Sequence, residues 1–277
     1  MNNLIIRTLT GTVFVFVLLT ALWVGSYAFL LFFGAVVFIG TFEVVSLVAE
    51  KQKKTGFALF CAFIALLIFL FSNGDKFFYC LSLPYNYLNN SYILLFFIPI
   101  VGLFSRKNSR QIKLIGAGVS GAFILSMSFS TLTTIFSFSD GFLLTLAFFC
   151  TIWTTDVFAY LVGSAIGQHR IYEAVSPKKS WEGAIAGLIF AVGCGVVFYF
   201  FTDGVLTLWQ WTLFAVIICV FGTIGDFCES LLKRAVHAKD SGKILPRHGG
   251  ILDRFDSTIF ASPFVLIYLQ IIKQILS

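Results

Sequence analysis

Apolar runs of about twenty residues recur along the chain, and they constrain its fold more than any other feature. One such run spans the hydrocarbon core of a bilayer as a single helix. Hydrophobic residues make up 58% of the 277 residues, and charged residues only 12%, about half the charged share of a soluble domain. This leaves too little polar surface to cover a water-soluble globule, and it argues against a soluble enzyme, a disordered chain and a nucleic-acid-binding domain. The sequence therefore predicts an all-α polytopic membrane protein.

About nine of these runs are predicted to be transmembrane helices. The fourth run is short, and serine and threonine interrupt the fifth, so the count of nine is approximate. The first run contains Arg7 followed by an apolar stretch and so resembles a signal peptide. No small-residue cleavage site comes after it, so it is predicted to remain as the first span. The runs cover residues 5–24, 27–48, 57–72, 92–104, 113–136, 142–166, 183–202, 208–226 and 257–276.

Basic residues occur almost entirely at the N-terminus and in alternate connections between these runs. Of the 19 lysines and arginines, only Lys76 and Lys273 lie elsewhere. Because basic residues are retained on the cytoplasmic side of a membrane, the N-terminus and the even-numbered loops are predicted to be cytoplasmic. Two of these loops are long enough to carry chemistry, 167–182 and 227–256.

Acidic residues are rare, yet five of the 13 cluster around the second of these loops. Asp226, Ser230 and Lys233 stand at i, i+4 and i+7, so they share one helical face, and Glu229 at i+3 lies beside them. Glycines at 222 and 225 would let another backbone approach that face. The five acids are Asp226, Glu229, Asp240, Asp253 and Asp256.

Carboxylates on two helix ends, interleaved with cations, suit a Mg²⁺–polyphosphate site. Hard divalent cations take oxygen ligands from carboxylates and substrate phosphates, and lysine and arginine neutralise the remaining phosphate charge. The other explanation for the stretch is a solvated loop with ion pairs. The loop at 167–182 adds the compact positive pair Lys178-Lys179 and Trp181, which positive-inside retention and interfacial anchoring would also explain.

Two further acids, Glu43 and Asp156, lie inside apolar runs. A charged group at membrane depth is a functional candidate by default. Asp156 could line the same pocket as the loop residues or satisfy a helix contact, whereas Glu43 could simply approach the membrane interface.

The run from Ser230 to Asp256 resembles the signature of the phosphatidate cytidylyltransferases, also called CDP-diacylglycerol synthases. The runs Gly222-Thr-Ile-Gly225-Asp226 and Ser176 to Gly183 also resemble motifs of this family. The residues that meet the signature are Ser230, Lys233-Arg234, Lys239-Asp240, Pro246, His248-Gly249-Gly250, Asp253-Arg254 and Asp256.

The resemblance implies that CTP and phosphatidic acid react to give CDP-diacylglycerol and pyrophosphate, with Mg²⁺ and with room for a second cation. It implies that Asp226 and Asp253 hold the metal, with Asp256 as a weaker ligand. Ser230, Lys233 and Arg234 would act with them in catalysis as phosphate contacts. The implied substrate-binding residues are Lys178, Lys179, Lys239, Asp240, His248, Gly249, Gly250 and Arg254.

This interpretation divides the chain into N-terminal transmembrane helices at 1–136 and a catalytic transmembrane region at 137–277. The expected partners are CTP, phosphatidic acid and membrane lipids, without nucleic acid, and the resemblance implies a homodimer. The expected location is the inner (plasma) membrane, with the active site facing the cytoplasm.

Two other functions remain open at this point. Another CTP-using membrane enzyme, such as a polyprenol or phytol kinase, would share a metal–nucleotide site beside lipid but would make a lipid phosphate. A transporter or ion channel would use Glu43 and Asp156 as intramembrane coupling groups. It would also spread polar residues along a path through several spans, whereas this chain concentrates them at one end of the helices.

Overall fold

The structure is a computed structural model that describes residues 3–49, 55–74, 109–173, 175–242 and 249–276. Over these ranges the chain forms eight α-helices and no β-strand, which confirms the all-α prediction for this part. The helices are α1 (Asn3–Val24), α2 (Ser26–Ala49), α3 (Thr55–Ser72), α4 (Ser109–Phe136), α5 (Gly141–Ile166), α6 (Trp181–Phe201), α7 (Leu208–Ala235) and α8 (Leu252–Leu276).

Seven of the described helices, α2 to α8, are long and apolar enough to cross a membrane. The apolar part of α1, Thr8–Val24, is shorter. The predicted run at 92–104 lies outside the described residues, so the count of nine spans and their orientation stay predictions. The described helices indicate an integral membrane protein.

Helices reach into both ends of the predicted motif loop 227–256, as expected for carboxylates on two helix ends. α7 begins at Leu208 and continues past the apolar run to Ala235, because the polar residues at its end share one helical face and do not interrupt the helix. α8 begins at Leu252, before the apolar run that starts at 257. The other motif loop runs between Ile166 and Trp181, close to its predicted bounds.

The chain folds as two compact units. One comprises Met1–Thr133 and Ala235–Phe255, and the other comprises Thr134–Arg234 and Asp256–Ser277. In the first unit, α2 packs against α1 and α3. Its core includes Phe33, whose ring contacts those of Phe129 and Phe255 at centroid distances of 5.0 and 5.7 Å.

In the second unit, glycines allow the helices to pack closely. A Cβ atom at Gly183 of α6 would lie 2.6 Å from the Ala159 carbonyl oxygen of α5, and one at Gly195 would lie 2.7 Å from the Trp211 carbonyl oxygen of α7. Small residues at such contacts let membrane helices gain dispersion energy over their whole length. This packing brings the polar ends of α5, α6 and α7 to one place in the unit.

Candidate active site

The polar face at the C-terminal end of α7 forms as its spacing predicts. Ser230 Oγ donates a hydrogen bond to Asp226 Oδ1 at 3.4 Å. Lys233 Nζ donates to Glu229 Oε2 at 2.6 Å, and only 12% and 5% of these two side chains are exposed. A charge pair this far from water is held in place more firmly than a surface pair, because neither partner can be hydrated fully instead.

The first turns of α8 bring a further carboxylate to this face. α7 can approach because residue 225 is glycine: a Cβ atom there would lie 2.5 Å from the Asp256 carbonyl oxygen and 2.9 Å from Phe260 Cβ. As a result, carboxylate oxygens of Asp226, Glu229 and Asp256 all lie within 4.8 Å of one another. Three carboxylates at that spacing offer the hard oxygen ligands that Mg²⁺ takes.

Two lysines border this carboxylate cluster and offset part of its charge. Lys233 is paired with Glu229, and Lys179 forms an ion pair with Asp226. Lys179 Nζ also lies 4.2 Å from the centre of the Phe227 ring, a cation–π contact. The arrangement alternates negative and positive groups, and such a surface can bind a metal ion together with the phosphates that the metal carries.

Lys179 reaches Asp226 because the loop 167–180 folds back on itself. Ile171 N donates a hydrogen bond to the Lys179 carbonyl at 3.1 Å, and Trp181 N donates to the His169 carbonyl at 2.9 Å. These bonds satisfy backbone groups that a loop beside apolar helices would otherwise leave without partners.

The same loop is tied to the helices on both sides. Ser180 caps α6, where its Oγ accepts a hydrogen bond from Gly183 N at 3.2 Å. Arg234 Nε, near the end of α7, donates to the Val175 carbonyl at 3.4 Å. These hydrogen bonds to α6 and α7 therefore fix the part of the loop that carries Lys179.

A cavity of about 240 Å³ opens beside Asp226. Asp156 of α5 lines it together with Lys178 and Lys179, while Tyr160 adds an aromatic wall. The pocket therefore joins charged groups to an apolar surface, a combination typical of sites that bind small molecules. Its other lining residues are Thr155, Ala159, Ile171, Ser180, Gly183, Ala184, Thr223 and Asp226.

The glycine-rich motif before α8 belongs to the other unit and is organised around Asp253. Its Oδ2 accepts hydrogen bonds from Ser241 N at 2.9 Å, Ser241 Oγ at 3.0 Å and Gly250 N at 2.7 Å. Gly249 has a φ of 82°, which favours glycine, and a Cβ atom there would collide with the Asp253 carboxylate. One oxygen of Asp253 thus holds the turn that precedes α8.

The chain is similar to known proteins over most of its length. The sequence model of the Cytidylyltransferase family matches residues 5–272. The chain is 30% identical over 269 residues to the phosphatidate cytidylyltransferase of Bacillus subtilis, covering 96% of this chain and 97% of that protein. The chain belongs to the cytidylyltransferase family. Over 131 residues it is also 45% identical to the phosphatidate cytidylyltransferase of Staphylococcus haemolyticus and 42% identical to that of Staphylococcus saprophyticus. These matches cover 47% of this chain and 50% of each staphylococcal protein, so the chain spans about half the length of these relatives.

Several residues singled out from the sequence of this cytidylyltransferase-family chain come together in one unit. Asp226 lies with Asp256 in the carboxylate cluster, and Lys178 and Lys179 line the adjacent cavity. Lys239, Asp240 and Arg254 are exposed in the other unit, which also holds Asp253, Gly249 and Gly250. His248 lies outside the described residues. The role of each residue in catalysis stays a prediction.

Sequence reasoning did not propose Glu229 as a metal ligand, although its spacing carried the signal. It stands three residues after Asp226 and four before Lys233, so it shares their helical face. Asp156 was left undecided between a pocket and a helix contact, and it lines the cavity beside Asp226. Glu43 was left open between a functional group and an acid near the membrane interface, and it is 3% exposed.

Proposed function

We propose that this protein is an integral membrane CTP:phosphatidate cytidylyltransferase. It would transfer CMP from CTP to phosphatidic acid and release CDP-diacylglycerol and pyrophosphate, a step of phospholipid biosynthesis. The observation that carries the proposal is the carboxylate cluster of Asp226, Glu229 and Asp256, bordered by Lys179 and Lys233, in a chain of the cytidylyltransferase family. The names of the relatives supply the substrates.

The donor set of this cluster fits Mg²⁺, because it consists of carboxylate oxygens with room between them for a small hard cation. Asp226, Glu229 and Asp256 would hold the ion. A metal-binding role for Asp253 is implied by the family resemblance alone. When bound, Mg²⁺ would neutralise phosphate charge and orient the triphosphate for displacement at its α-phosphorus.

In the proposed reaction, a phosphate oxygen of the lipid forms a bond to the α-phosphorus of CTP while the bond from that phosphorus to the bridging oxygen breaks. The bridging oxygen leaves with pyrophosphate. Two polyanions repel each other, so the protein's task is to neutralise and align them. Lys179 is braced by its loop, and Lys233 is fixed by Glu229, so both can meet phosphate charge without reorganising. The reaction requires no protein nucleophile.

The proposal also includes the orientation of the site. CTP is a soluble nucleotide, and the phosphate of phosphatidic acid lies at the membrane surface, so the motif loops must face the compartment that holds CTP. The bias of basic residues supports a cytoplasmic N-terminus and cytoplasmic motif loops. We place the protein in the inner (plasma) membrane, and a homodimer is the assembly expected from the family resemblance.

Two labels on CTP distinguish this function from its nearest alternative. Purified protein in lipid nanodiscs receives phosphatidate, Mg²⁺ and CTP labelled with ³²P at either the α or the γ position. Cytidylyl transfer places the α label in the lipid fraction and the γ label in pyrophosphate. A lipid kinase would place the γ label in the lipid when a prenol is supplied, and that result would overturn the proposal. So would ion flux in proteoliposomes that needs no CTP, if no lipid product forms.

A further inference from the structure

Glu43 is a buried acid that the proposed reaction does not use directly. Glu43 lies within the apolar helix α2, and only 3% of its surface is exposed. A buried carboxylate is costly unless hydrogen bonds replace its lost water. The groups that compensate Glu43 therefore indicate its role.

Within the described part of the chain, its hydrogen-bond partners come from the segment that carries the glycine-rich motif. Ile251 N donates to Glu43 Oε1 at 3.1 Å, and Leu252 N donates to Oε2 at 3.0 Å. Ser241 Oγ lies 3.2 Å from Oε2. Leu252 is the first residue of α8, so the carboxylate binds amide groups that the helix itself cannot satisfy, and the helix dipole favours its charge.

The segment has glycine at the two positions where a side chain would displace this carboxylate. A Cβ atom at Gly242 or at Gly250 would collide with Glu43, and one at Gly250 would also collide with Ser241 Oγ. Steric collision with Glu43 and Ser241 therefore explains why residue 250 is glycine, which the signature alone does not explain. The carboxylate from α2 therefore lies against two stretches of this segment, 241–242 and 250–252.

Ser241 links Glu43 to Asp253. The hydroxyl lies 3.2 Å from Glu43 Oε2 and 3.0 Å from Asp253 Oδ2, so its single proton can be donated to either carboxylate. Gly250 N binds the same Asp253 oxygen at 2.7 Å. The two carboxylates thus bind consecutive amides of one segment: Gly250 N donates to Asp253, and Ile251 N and Leu252 N donate to Glu43.

We propose that Glu43 is a positioning residue for the cytidylyl transfer. From α2, it fixes Ser241 and the first turn of α8, and through them it sets the orientation of the Asp253 carboxylate. The inference rests on the proposed function only for its catalytic consequence, since the contacts themselves do not depend on the reaction.

Hydrogen exchange tests the contact without any activity measurement. The variant Glu43→Gln keeps the shape of the side chain but removes the charge and one acceptor. In the full-length protein, we expect the amides of Ile251 and Leu252 to exchange at least about tenfold faster, because hydrogen bonds to a charged group are worth more than neutral ones. Thr41→Val is the matched control: Thr41 is a fully buried residue of the same helix, and its hydroxyl has no hydrogen-bond partner among the residues that the structure describes. It should leave this exchange unchanged.

Double variants test the action through Asp253. Glu43→Gln should lower kcat by about 10–100-fold, as loss of a supporting contact commonly does, while Thr41→Val retains wild-type turnover. Glu43→Gln combined with Asp253→Asn should turn over no more slowly than Asp253→Asn alone, since both remove one linked function.

If the decreases in kcat caused by Glu43→Gln and Asp253→Asn multiply in the double variant, the proposal is overturned. It is also overturned if the amides of residues 251 and 252 exchange at the wild-type rate in Glu43→Gln. If Glu43→Gln does not fold, Ser241→Ala removes only the shared hydroxyl and should lower kcat by about tenfold; wild-type turnover of that variant would overturn the proposal. If the wild-type protein forms no CDP-lipid, the proposed function fails, and the exchange comparison still decides whether Glu43 holds the segment.

Discussion

A methyl group added at Gly225 tests whether close packing of α7 on α8 builds the carboxylate cluster. In Gly225→Ala, the new Cβ atom would lie 2.5 Å from the Asp256 carbonyl oxygen and 2.9 Å from Phe260 Cβ. Ordinary contact begins at 3.4 Å, so α8 has to move by about 0.9 Å, the difference between 3.4 and 2.5 Å. Backbone atoms set the closest contact, and a change of side-chain rotamer cannot relieve it.

That displacement has two measurable consequences. Overpacking of this kind costs about 1–3 kcal/mol, and the better helix propensity of alanine returns only about 1 kcal/mol. The shift also moves Asp256 relative to Asp226 and Glu229, and misplacement by about 1 Å can lower turnover about 10²-fold. We therefore expect Gly225→Ala to be less stable than the wild-type protein and nearly inactive.

Gly222→Ala is a matched control one turn earlier on the same helix face. Its Cβ atom would lie 3.4 Å from Ser257 Cβ, an ordinary contact, so the gain in helix propensity should leave stability equal or slightly higher. Thermal unfolding in detergent and CDP-lipid formation are measured for both variants. If Gly225→Ala unfolds and turns over like Gly222→Ala, the reasoning from close helix packing is wrong.

Three further outcomes are expected. Asp226→Asn should lower turnover by orders of magnitude while the protein still inserts and folds, because a metal-binding charge is lost. Asp203→Asn, in the exposed turn after α6, should retain full turnover. Equal activity of the two variants would refute the assignment. Lys233→Ala should raise KM for CTP. It should also lower the unfolding temperature, because the buried Glu229 carboxylate loses an ammonium group 2.6 Å away, at a cost of up to about 3–5 kcal/mol. An unchanged KM and an unchanged unfolding temperature would contradict the pairing. EDTA should abolish transfer and Mg²⁺ should restore it, whereas transfer that survives EDTA would argue against a metal.

Local spacing was sufficient to predict the polar face of α7. Asp226, Ser230 and Lys233 share that face because an α-helix repeats every 3.6 residues. In the structure, Ser230 donates a hydrogen bond to Asp226, and Lys233 donates one to Glu229. The close approach at Gly225 could also be expected from the missing side chain. Apolar run length likewise predicted the helices, because the bilayer thickness sets the number of residues that a span needs.

Contacts between distant parts of the chain could not be predicted in this way. α8 begins before its apolar run, at Leu252, where the Glu43 carboxylate binds the first free amides of the helix. Glu43 lies 209 residues earlier in the chain, and nothing in its local sequence distinguishes a helix-capping acid from one near the membrane surface. Lys179 is similar, since its pairing with Asp226 depends on how the loop folds back.

The most direct test of the proposed metal site is the position of a bound ion. Mn²⁺ can replace Mg²⁺ and scatters X-rays anomalously, so crystals of the protein grown with Mn²⁺ locate it without assumptions about the ligands. We predict an anomalous peak in contact with the carboxylates of Asp226, Glu229 and Asp256, and its loss in Asp226→Asn. A map without a peak at these carboxylates, at a Mn²⁺ concentration that supports CDP-lipid formation, would contradict the account.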